Sequence, residues 1–460
     1  MAYVAYITKV KNIRPAENAD RLNLCEAFGN TVVVDKSVNE KDLYIYFPSD
    51  GQLSLDFCIK NHLLRKLPDG TPDTGYMDPV KRNVVAIKLR GNKSDGLILP
   101  LTALAEFGDI STLNIGDTID TFNGIEICKK YIPVQKNKNG SVSSGNKTRK
   151  RKVNIAPLFV EHADTEQLAY NLDAFKPGDL VEITLKMHGT SQRTGYLPVF
   201  KGYKRTLWDK IRRKEGTPIY DWGYISGTRR TVLENFEGGY YGSNKFREQH
   251  SKFFEGKLWK GEEVYYEVVG FTHLGTPIMA TADNKKLNDK EFVKQYGKTT
   301  TFSYGCIPDG YSESHQVVCG DNQSDIYVYR MTITNEDGDI VEYTPDFMRY
   351  RCEQMGVKTV PVMWKGYIEN KIEYIPSDDD EYVEFNAGAW IKNKAEQYYD
   401  GPDPIGKTHV REGVVVRILN RPKFCAYKHK NWSFKCLEGL VKVEATEPDI
   451  EEAQEILDEQ

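Results

Sequence analysis

One polar segment divides the chain into two parts, each with its own apolar residues. Residues 135–152 read QKNKNGSVSSGNKTRKRK, with a Gly/Ser centre, a basic end and no aromatic residue. That composition is typical of a flexible linker. The basic end also fits a nuclear-localisation or nucleic-acid-contacting patch, although isolated basic runs match such motifs often. We therefore predict a domain over 1–133, a basic linker over 134–155, a second domain over 156–445 and an acidic tail over 446–460.

The charge balance gives no global signature of a nucleic-acid-binding protein. Lys and Arg number 62 and Asp and Glu 66, for a net charge of −4, so any basic surface must be local. No run of about 18 apolar residues and no signal-peptide pattern occurs, which predicts a protein that does not enter a membrane. The scattered cysteines contain no Cys-x-x-Cys pair and predict reduced thiols in a cytoplasmic protein; they are Cys25, Cys58, Cys128, Cys306, Cys319, Cys352, Cys425 and Cys436.

The two domains differ in their apolar patterns. Before the linker, short alternating runs such as YVAYITKV, TVVVD and DLYIYFP predict strands of an all-β domain. A five-stranded barrel of the OB type suits its length, and such barrels often bind oligonucleotides; a domain that only supports its neighbour fits the strand pattern equally well. After the linker, strand-like runs such as LVEITLK and EEVYYEVVGF mix with polar helical stretches. They lack regular βαβ alternation, so the sequence predicts an α+β fold.

Lys186 ends the first of those strand-like runs, in LKMHGTS. A lysine acts as a nucleophile only when its amine is unprotonated, which requires nearby cations or partial burial. Gly189 permits close approach of a phosphate, and the hydroxyls of Thr190 and Ser191 are possible donors to it. Without further residues, the pattern is more typical of the polar end of a strand, because a lysine before a Gly-Thr turn is common there.

Four fragments further along the chain supply the missing chemistry. Attack on a nucleoside triphosphate needs a nucleophile, a carboxylate-bound divalent metal, cations near the departing pyrophosphate and an aromatic platform for the base. Separately, each candidate has an ordinary structural explanation. Two lysines two residues apart share one face of a strand, where they can neutralise phosphates and lower the pKa of Lys186. The candidates are Glu267, Tyr329, Glu412, and the pair Lys428 and Lys430.

This ordered set resembles the covalent nucleotidyltransferase superfamily, which includes DNA ligases, RNA ligases and mRNA capping enzymes. The matching segments are Lys186-Met187-His188-Gly189, Tyr265-Tyr266-Glu267, Tyr329, Glu412-Gly413-Val414-Val415 and Lys428-His429-Lys430. The resemblance covers roughly residues 156–445. It implies a nucleotidyltransferase domain of antiparallel sheets with helices. Arg330 departs from the pattern, because the family more often has Asp after its stacking aromatic residue.

The histidine at position 188 makes the chain resemble the RNA ligase branch, because DNA ligases and capping enzymes usually have Asp at that position. Those enzymes also carry an OB domain after the last motif, and the residues following Lys430 are too few for one. The front domain resembles the N-terminal OB module of one RNA ligase branch, through the Arg-Gly-x-x-Ser-x-Gly-Leu segment that begins at Arg90. That resemblance makes Arg90 and Lys93 candidate RNA contacts.

The resemblance implies an ATP-dependent RNA ligase. Lys186 would take AMP from ATP, pass it to an RNA 5′-phosphate, and a 3′-hydroxyl would then displace it. Glu412 would hold Mg²⁺ or Mn²⁺; nucleotide contacts would come from Lys186, His188, Gly189, Glu267, Tyr329, Glu412, Lys428 and Lys430. Arg229 resembles an arginine that contacts the 5′-phosphate, although the adjacent Arg230 is an equal match.

Two alternatives stay open at this point. One is a ligase that seals DNA or RNA/DNA hybrid nicks, and the other is a catalytically silent RNA-binding protein on the same fold. We expect a monomer without an obligate protein partner. Two segments, around 203–216 and 272–324, look like insertions relative to compact family members.

Overall fold

The computed structural model describes most of the chain between residues 3 and 437. The gaps lie at 18, 20, 90, 132–152, 163–164, 207–215, 234, 238–240, 242, 288, 309–322, 370–384 and 422. The predicted linker is therefore described only over 153–155, and Arg90, Cys319 and the acidic tail lie outside the described residues. Within the described ranges, no helix has the length and apolar character needed to span a bilayer.

Two compact units make up the chain, and the first is drawn from Met1–Lys136, Lys285–Asp289 and Trp432–Pro448. It contains the helix α1 (Leu55–Lys60). Its strands are β1 (Ala5–Thr8), β2 (Lys11–Pro15), β3 (Leu22–Ala27), β4 (Asn30–Asp35), β5 (Tyr44–Phe47), β6 (Gly51–Leu53), β7 (Ile87–Leu89), β8 (Asn92–Ser94), β9 (Leu97–Pro100), β10 (Thr118–Ile119), β11 (Thr121–Phe122), β12 (Ile125–Glu126) and β13 (Cys128–Lys130). They form the sheets β10-β1-β5-β9 and β2-β3-β4 and the pairs β6-β13, β7-β8 and β11-β12.

A helical turn over residues 432–437 belongs to this first unit, although the sequence analysis assigned it to the second domain. Phe434 and Leu437 are buried. Lys435 Nζ lies 2.5 Å from a carboxylate oxygen of Asp95, which is itself buried. Burial of two large apolar side chains and one ion pair explains why this segment packs there.

The second unit contains four helices in the described residues: α2 (Lys245–Phe253), α3 (Lys290–Tyr296), α4 (Pro345–Met355) and α5 (Ala387–Glu396). Its strands are β14 (Glu166–Gln167), β15 (Leu180–Lys186), β16 (Thr190–Lys204), β17 (Thr217–Gly227), β18 (Val232–Leu233), β19 (Glu262–Gly270), β20 (Ala282–Asp283), β21 (Thr299–Thr300), β22 (Ser324–Thr334), β23 (Ile340–Glu342), β24 (Lys358–Thr359), β25 (Val362–Tyr367), β26 (Gly413–Ile418) and β27 (Ala426–Lys430).

Two large sheets form this unit. One has five strands in the order β14-β27-β26-β15-β25; the other has seven, with β18-β17-β16-β19-β22-β23 in sequence and β24 beside β22. The parallel pairings are β14 with β27 and β22 with β24, and the remaining neighbours are antiparallel. The predicted mixture of helices with mostly antiparallel sheets is confirmed. The OB-type barrel of the first unit stays a prediction.

The alternation within β15 decides which side of the five-stranded sheet is buried. Val181, Ile183 and Leu185 point to one face and are at most 2% exposed, as period-two alternation requires. Val181 and Ile183 join a core to which α5 contributes Ile391. Lys186 lies next after Leu185 and therefore points to the opposite face, away from that core.

A buried ion pair attaches α4 to the seven-stranded sheet. The Arg351 guanidinium donates to both carboxylate oxygens of Glu262, each at 2.8 Å, and the two side chains are 3% and 0% exposed. Tyr343 OH and the Trp259 backbone N also donate to this carboxylate, at 3.0 and 2.7 Å. The carboxylate is thus fully surrounded by donors, as a buried charge must be.

We predict that Arg351→Met lowers the free energy of unfolding by about 3–5 kcal/mol, because it leaves a buried carboxylate uncompensated. Lys358→Met is the matched control, since Lys358 pairs with Asp325 with its own side chain 63% exposed. That variant should cost less than about 1 kcal/mol. Urea unfolding followed by tryptophan fluorescence measures both. Equal losses of unfolding free energy in the two variants would contradict the assignment of Arg351 and Glu262 as a stabilising buried ion pair.

Candidate active site

The turn over residues 187–189 carries the chain from the five-stranded sheet to the seven-stranded sheet. Lys186 is the last residue of β15, and Thr190 is the first residue of β16. Strands of both sheets therefore meet at this turn. The side chain of Lys186 is 23% exposed, so it is accessible to a ligand while its stem is packed.

Glu412 is the centre of the charged side chains at this turn. Its carboxylate is 2% exposed. Lys186 Nζ lies 2.7 Å and Lys430 Nζ 3.5 Å from the same oxygen, Oε1. His188 Nδ1 lies 3.6 Å from the other oxygen, Oε2. Four of the predicted site residues are thus brought together around one buried carboxylate.

Strand register places the two lysines in one row. Lys186 pairs with Gly413, and Gly413 pairs with Lys430 on its other side. Gly413 has a φ of +150°, and a Cβ there would lie 2.1 Å from the carbonyl oxygen of His429. Only glycine fits this position without displacing backbone. Because the middle residue of the row has no side chain, the two lysines can both reach the Glu412 carboxylate that precedes it.

Burial alone would raise the pKa of Glu412, but the neighbouring charges outweigh it. The ammonium of Lys186, then that of Lys430, and the nearby His188 imidazole hold its pKa well below the ordinary value of 4.5. The carboxylate is therefore ionised at neutral pH. It acts as a permanent negative charge that compensates two ammonium groups, rather than as a proton acceptor.

Glu267 approaches the turn from the seven-stranded sheet. It pairs with Ser191 across β16 and β19 and is 9% exposed. A Cβ on Gly189 would lie 2.9 Å from Glu267 Cγ and 2.4 Å from the carbonyl oxygen of Val268. Glycine is therefore required here because β19 passes close to the turn. The close approach that we assigned to a phosphate at Gly189 is, in this structure, an approach of protein backbone.

The hydroxyls expected to donate to a phosphate are used inside the fold instead. Thr190 is 1% exposed, and its Oγ1 accepts a hydrogen bond from Arg247 at 2.5 Å. Ser191 is 6% exposed, and its Oγ lies 2.9 Å from the hydroxyl of Tyr329. This expectation was wrong, because the two hydroxyls already contact Arg247 and Tyr329.

Tyr329 lies at an irregularity of β22, between Val328, which pairs with Tyr266, and Arg330, which pairs with Tyr265. Its half-buried ring has its centroid 5.1 Å from that of His162. Arg330, which departs from the family pattern, is 6% exposed and donates to both oxygens of Glu342. Its charge is therefore balanced within the sheet.

The second lysine of the pair lies two residues before Lys430 on β27. Lys428 pairs with Val415 and with Gln167. It shares the strand face of Lys430, as expected. The intervening His429 is buried and its ring stacks on Tyr399 at 4.9 Å, so this residue points into the protein.

The two adjacent arginines follow β17 in a turn that a buried arginine holds in place. Arg193 is 1% exposed; its guanidinium donates to the carbonyl oxygens of Thr228 at 2.9 Å and Arg230 at 3.4 Å. Arg229 is half-buried and Arg230 is exposed. The backbone N of His162 donates to the Arg229 carbonyl at 3.3 Å, which links this turn to the residue beside Tyr329.

Lys93 lies on β8 of the first unit and is exposed. Its ammonium is 4.9 Å from the ring centroid of Trp432, within the range of a cation–π interaction. The neighbouring Asn92 and Ser94 are buried, and Ser94 Oγ accepts from the Val33 backbone N at 3.0 Å. Asn92 and Ser94 therefore pack inside the first unit, while the Lys93 side chain is accessible.

Sequence analysis missed two residues at this site. His162 contacts the Tyr329 ring, and the Tyr304 hydroxyl accepts a hydrogen bond from the His188 backbone N at 2.6 Å. Neither belongs to a motif. Tyr304 is 116 residues away from its partner in the chain, so no local pattern could have indicated the contact.

Solved RNA ligases share this fold. No family model and no curated protein sequence matches the chain. A Naegleria gruberi RNA ligase variant with AMP and Mn aligns at 16% identity and a TM-score of 0.52, over 94% of this chain and 97% of that one. A variant of the same ligase with ATP and Mn gives 16% and 0.51, and a further apo variant 17% and 0.51, with the same coverage. The likeness is one of fold.

We predict that Glu412→Gln lowers the free energy of unfolding at neutral pH by about 3 kcal/mol, because it leaves the two ammonium groups uncompensated. Since the folded-state pKa of Glu412 is depressed, the wild-type advantage is fully present above 4.5, the ordinary value. It declines as the pH falls from there toward the folded-state pKa. Urea unfolding of both proteins across this acid range measures the difference. If the difference in unfolding free energy stayed constant or grew on acidification, Glu412 would not be the ionised centre of this charge cluster.

Proposed function

We propose that the chain is an ATP-dependent RNA ligase, which joins RNA 3′-hydroxyl and 5′-phosphate ends through a covalent lysyl-AMP intermediate. The observation that carries the proposal is the contact of the Lys186 amine with the buried Glu412 carboxylate, which Lys430 also approaches. These residues lie in a fold that the chain shares with RNA ligase structures solved with AMP or ATP and Mn.

Lys186 is the nucleophile of the first step. Its Nζ forms a P–N bond to the α-phosphorus of ATP, the bond from that phosphorus to the bridging oxygen breaks, and pyrophosphate leaves. The ammonium loses one proton before the attack and a second as the P–N bond forms, both to solvent. Lys430 and Lys428 share a strand face near the attacking amine, where they neutralise charge on the departing phosphates.

A divalent cation, Mg²⁺ or Mn²⁺, fits beside Glu412. Its Oε2 atom is buried and makes no hydrogen bond within the described part of the chain. The same ranges hold no group of three or more His, Cys, Asp or Glu side chains placed to bind a metal. Magnesium sites of one or two carboxylates completed by phosphate oxygens and water are common. When bound, the cation supplies charge neutralisation at the phosphates.

Tyr329 is the proposed platform for adenine. A half-buried aromatic ring provides a face for stacking of a base, and its hydroxyl contact with Ser191, near the start of β16, holds the ring in place. Glu267, on the neighbouring strand, orients the ribose or the metal. His188 and Gly189 complete the nucleotide contacts of the turn.

The second and third steps transfer and release AMP. A 5′-phosphate oxygen of RNA attacks the AMP phosphorus, the P–N bond breaks, and the Lys186 nitrogen takes up two protons from solvent, one as it leaves as an amine and one to become an ammonium again. A 3′-hydroxyl then attacks the 5′-phosphorus, a phosphodiester forms, AMP leaves and the hydroxyl proton passes to solvent. Arg229 is the proposed contact for the 5′-phosphate, because a guanidinium matches phosphate geometry.

The first unit acts in this proposal as an OB-like module that contacts RNA through Lys93, with Arg90 and the basic linker as further candidates. The enzyme acts as a monomer on RNA ends in the cytoplasm. The free thiols of all seven cysteines in the described ranges support a reducing compartment.

Lys186→Ala should abolish transfer of label from α-labelled ATP to the chain, because no other amine occupies the position of the nucleophile. The reaction contains a divalent metal, and a denaturing gel detects the label. Lys358→Ala, at an exposed lysine on β24, is the control and should label like the wild type. Undiminished label on Lys186→Ala, or none on the wild type, would refute the proposal.

Arg229→Ala should slow sealing of a nicked RNA duplex by about 10- to 100-fold, while lysine adenylylation stays unchanged, because a lost phosphate contact affects only the later steps. Arg230→Ala is the matched control and should seal normally. A sealing defect in Arg230→Ala alone would move the assignment by one residue. A defect in adenylylation by Arg229→Ala would contradict the role. Preference for a DNA 3′-hydroxyl strand over an RNA strand would favour the DNA-sealing alternative.

A further inference from the structure

Tyr304 lies beneath the turn that follows Lys186. It is 3% exposed, and its hydroxyl oxygen accepts a hydrogen bond of 2.6 Å from the backbone N of His188. Its φ of +49° is in the left-handed region, which is uncommon for a residue with a bulky side chain. The surrounding structure must therefore hold Tyr304 in this conformation.

Three aromatic contacts hold the Tyr304 ring and the turn together. The Phe302 ring meets the His188 ring edge-on at 4.6 Å, and both Phe302 and Tyr304 pack edge-on against His409, at 5.3 and 4.5 Å. His409 is fully buried, and its Nδ1 lies 3.0 Å from the Val410 carbonyl oxygen. The segment that carries Phe302 and Tyr304 thus forms one packed cluster with the turn.

The chain next to His409 also leaves no room for this segment to shift. A Cβ on Gly406 would lie 2.7 Å from the backbone N of Gly305. Asp403, which is fully buried, accepts hydrogen bonds from the backbone N of Ile405 and of Gly406 at 3.0 and 2.6 Å. The two backbones therefore lie in direct contact, and the loop that touches Tyr304 is itself held by a buried carboxylate.

The electrostatic surroundings keep the Tyr304 hydroxyl neutral. Burial raises its pKa well above the ordinary value, and the hydrogen bond from His188 opposes that only in part. The carboxylates of Glu412, Asp403 and Glu267 raise it further. The hydroxyl is therefore a fixed neutral acceptor for the His188 N–H, close to the carboxylates that belong to the proposed nucleotide site.

We propose that Tyr304 is a positioning residue for the adenylylation of Lys186. By accepting the hydrogen bond from His188, it fixes the turn two residues after the nucleophile and so fixes the direction of the Lys186 amine. Tyr304 belongs to the segment 272–324, which looked like an insertion without a readable role. The proposal rests on the proposed function, because it concerns the same lysine. Misplacing a reacting group by a small distance slows catalysis strongly.

Tyr304→Phe tests this directly, since it keeps the ring and removes only the acceptor. The rate constant for lysine adenylylation at saturating ATP should fall by about tenfold or more. The ATP concentration at half-saturation should change little, because Tyr304 is covered by protein and does not touch the nucleotide. Rapid mixing with α-labelled ATP and quenching at timed intervals measures both quantities.

Tyr343→Phe is the matched control. Tyr343 is also buried, and its hydroxyl donates to Glu262 at 3.0 Å in the seven-stranded sheet. The Tyr343→Phe variant also loses one hydrogen bond of a buried hydroxyl, but Tyr343 does not touch the turn. The adenylylation rate of this variant should therefore equal that of the wild type. An equal slowing in both variants would show that lost stability, and not lost positioning, causes the effect.

Hydrogen exchange of the His188 amide, measured without nucleotide, gives a second readout. The amide should exchange faster in Tyr304→Phe than in the wild type, because its acceptor is gone. Unchanged exchange and an unchanged rate constant would overturn the positioning role alone. Absence of label on the wild-type chain would overturn the proposed function, and the role of Tyr304 with it.

Discussion

The site is organised around one buried carboxylate shared by two ammonium groups. Glu412 compensates Lys186 and Lys430, which the strand register places on either side of a glycine. A buried charge requires partners. The end of β15, the end of β27 and the start of β26 must therefore meet in one arrangement. The position of Lys186, the proposed nucleophile, follows from that requirement.

The second constraint is the short connection between the sheets. Between Lys186 and Thr190 the chain leaves one sheet and enters the other, so the turn is fixed at both of its ends. At its first end, the Glu412 charge cluster holds the turn. At its second end, Gly189 packs on β19, and just beyond it Ser191 contacts Tyr329. Phosphoryl transfer depends chiefly on positioning and electrostatic stabilisation. In the proposed function, the turn between the two sheets provides the positioning, and the lysines around Glu412 provide the electrostatic stabilisation.

The local sequence pattern predicted those features of the site that depend on neighbouring residues within one strand. The run LVEITLK predicted a strand that ends at Lys186, and the two-residue spacing predicted the shared face of Lys428 and Lys430. Chemical complementarity selected Glu412 from many carboxylates. The roles expected for Thr190 and Ser191 were wrong, because the sequence of a strand does not show which side chains lie next to its polar residues in the folded protein.

Contacts between distant residues could not be predicted. Tyr304 reaches His188 across 116 residues, and the helical turn at 432–437 packs into the first unit by burying Phe434 and Leu437. Both depend on the three-dimensional path of the chain and not on any repeat or motif. Arg193 is a further case, since an arginine in a strand gives no sign that it is buried and holds the turn of Arg229 and Arg230.

The central claim is that AMP becomes attached to Lys186 and to no other residue. Tandem mass spectrometry of proteolytic peptides, prepared after incubation of the full chain with ATP and a divalent metal, tests it most directly. The account predicts an acid-labile AMP adduct on the peptide that contains Lys186, with fragment ions that locate it on that side chain. An adduct located on Lys428, on Lys430 or on a residue of the first unit, or no adduct at all, would contradict it.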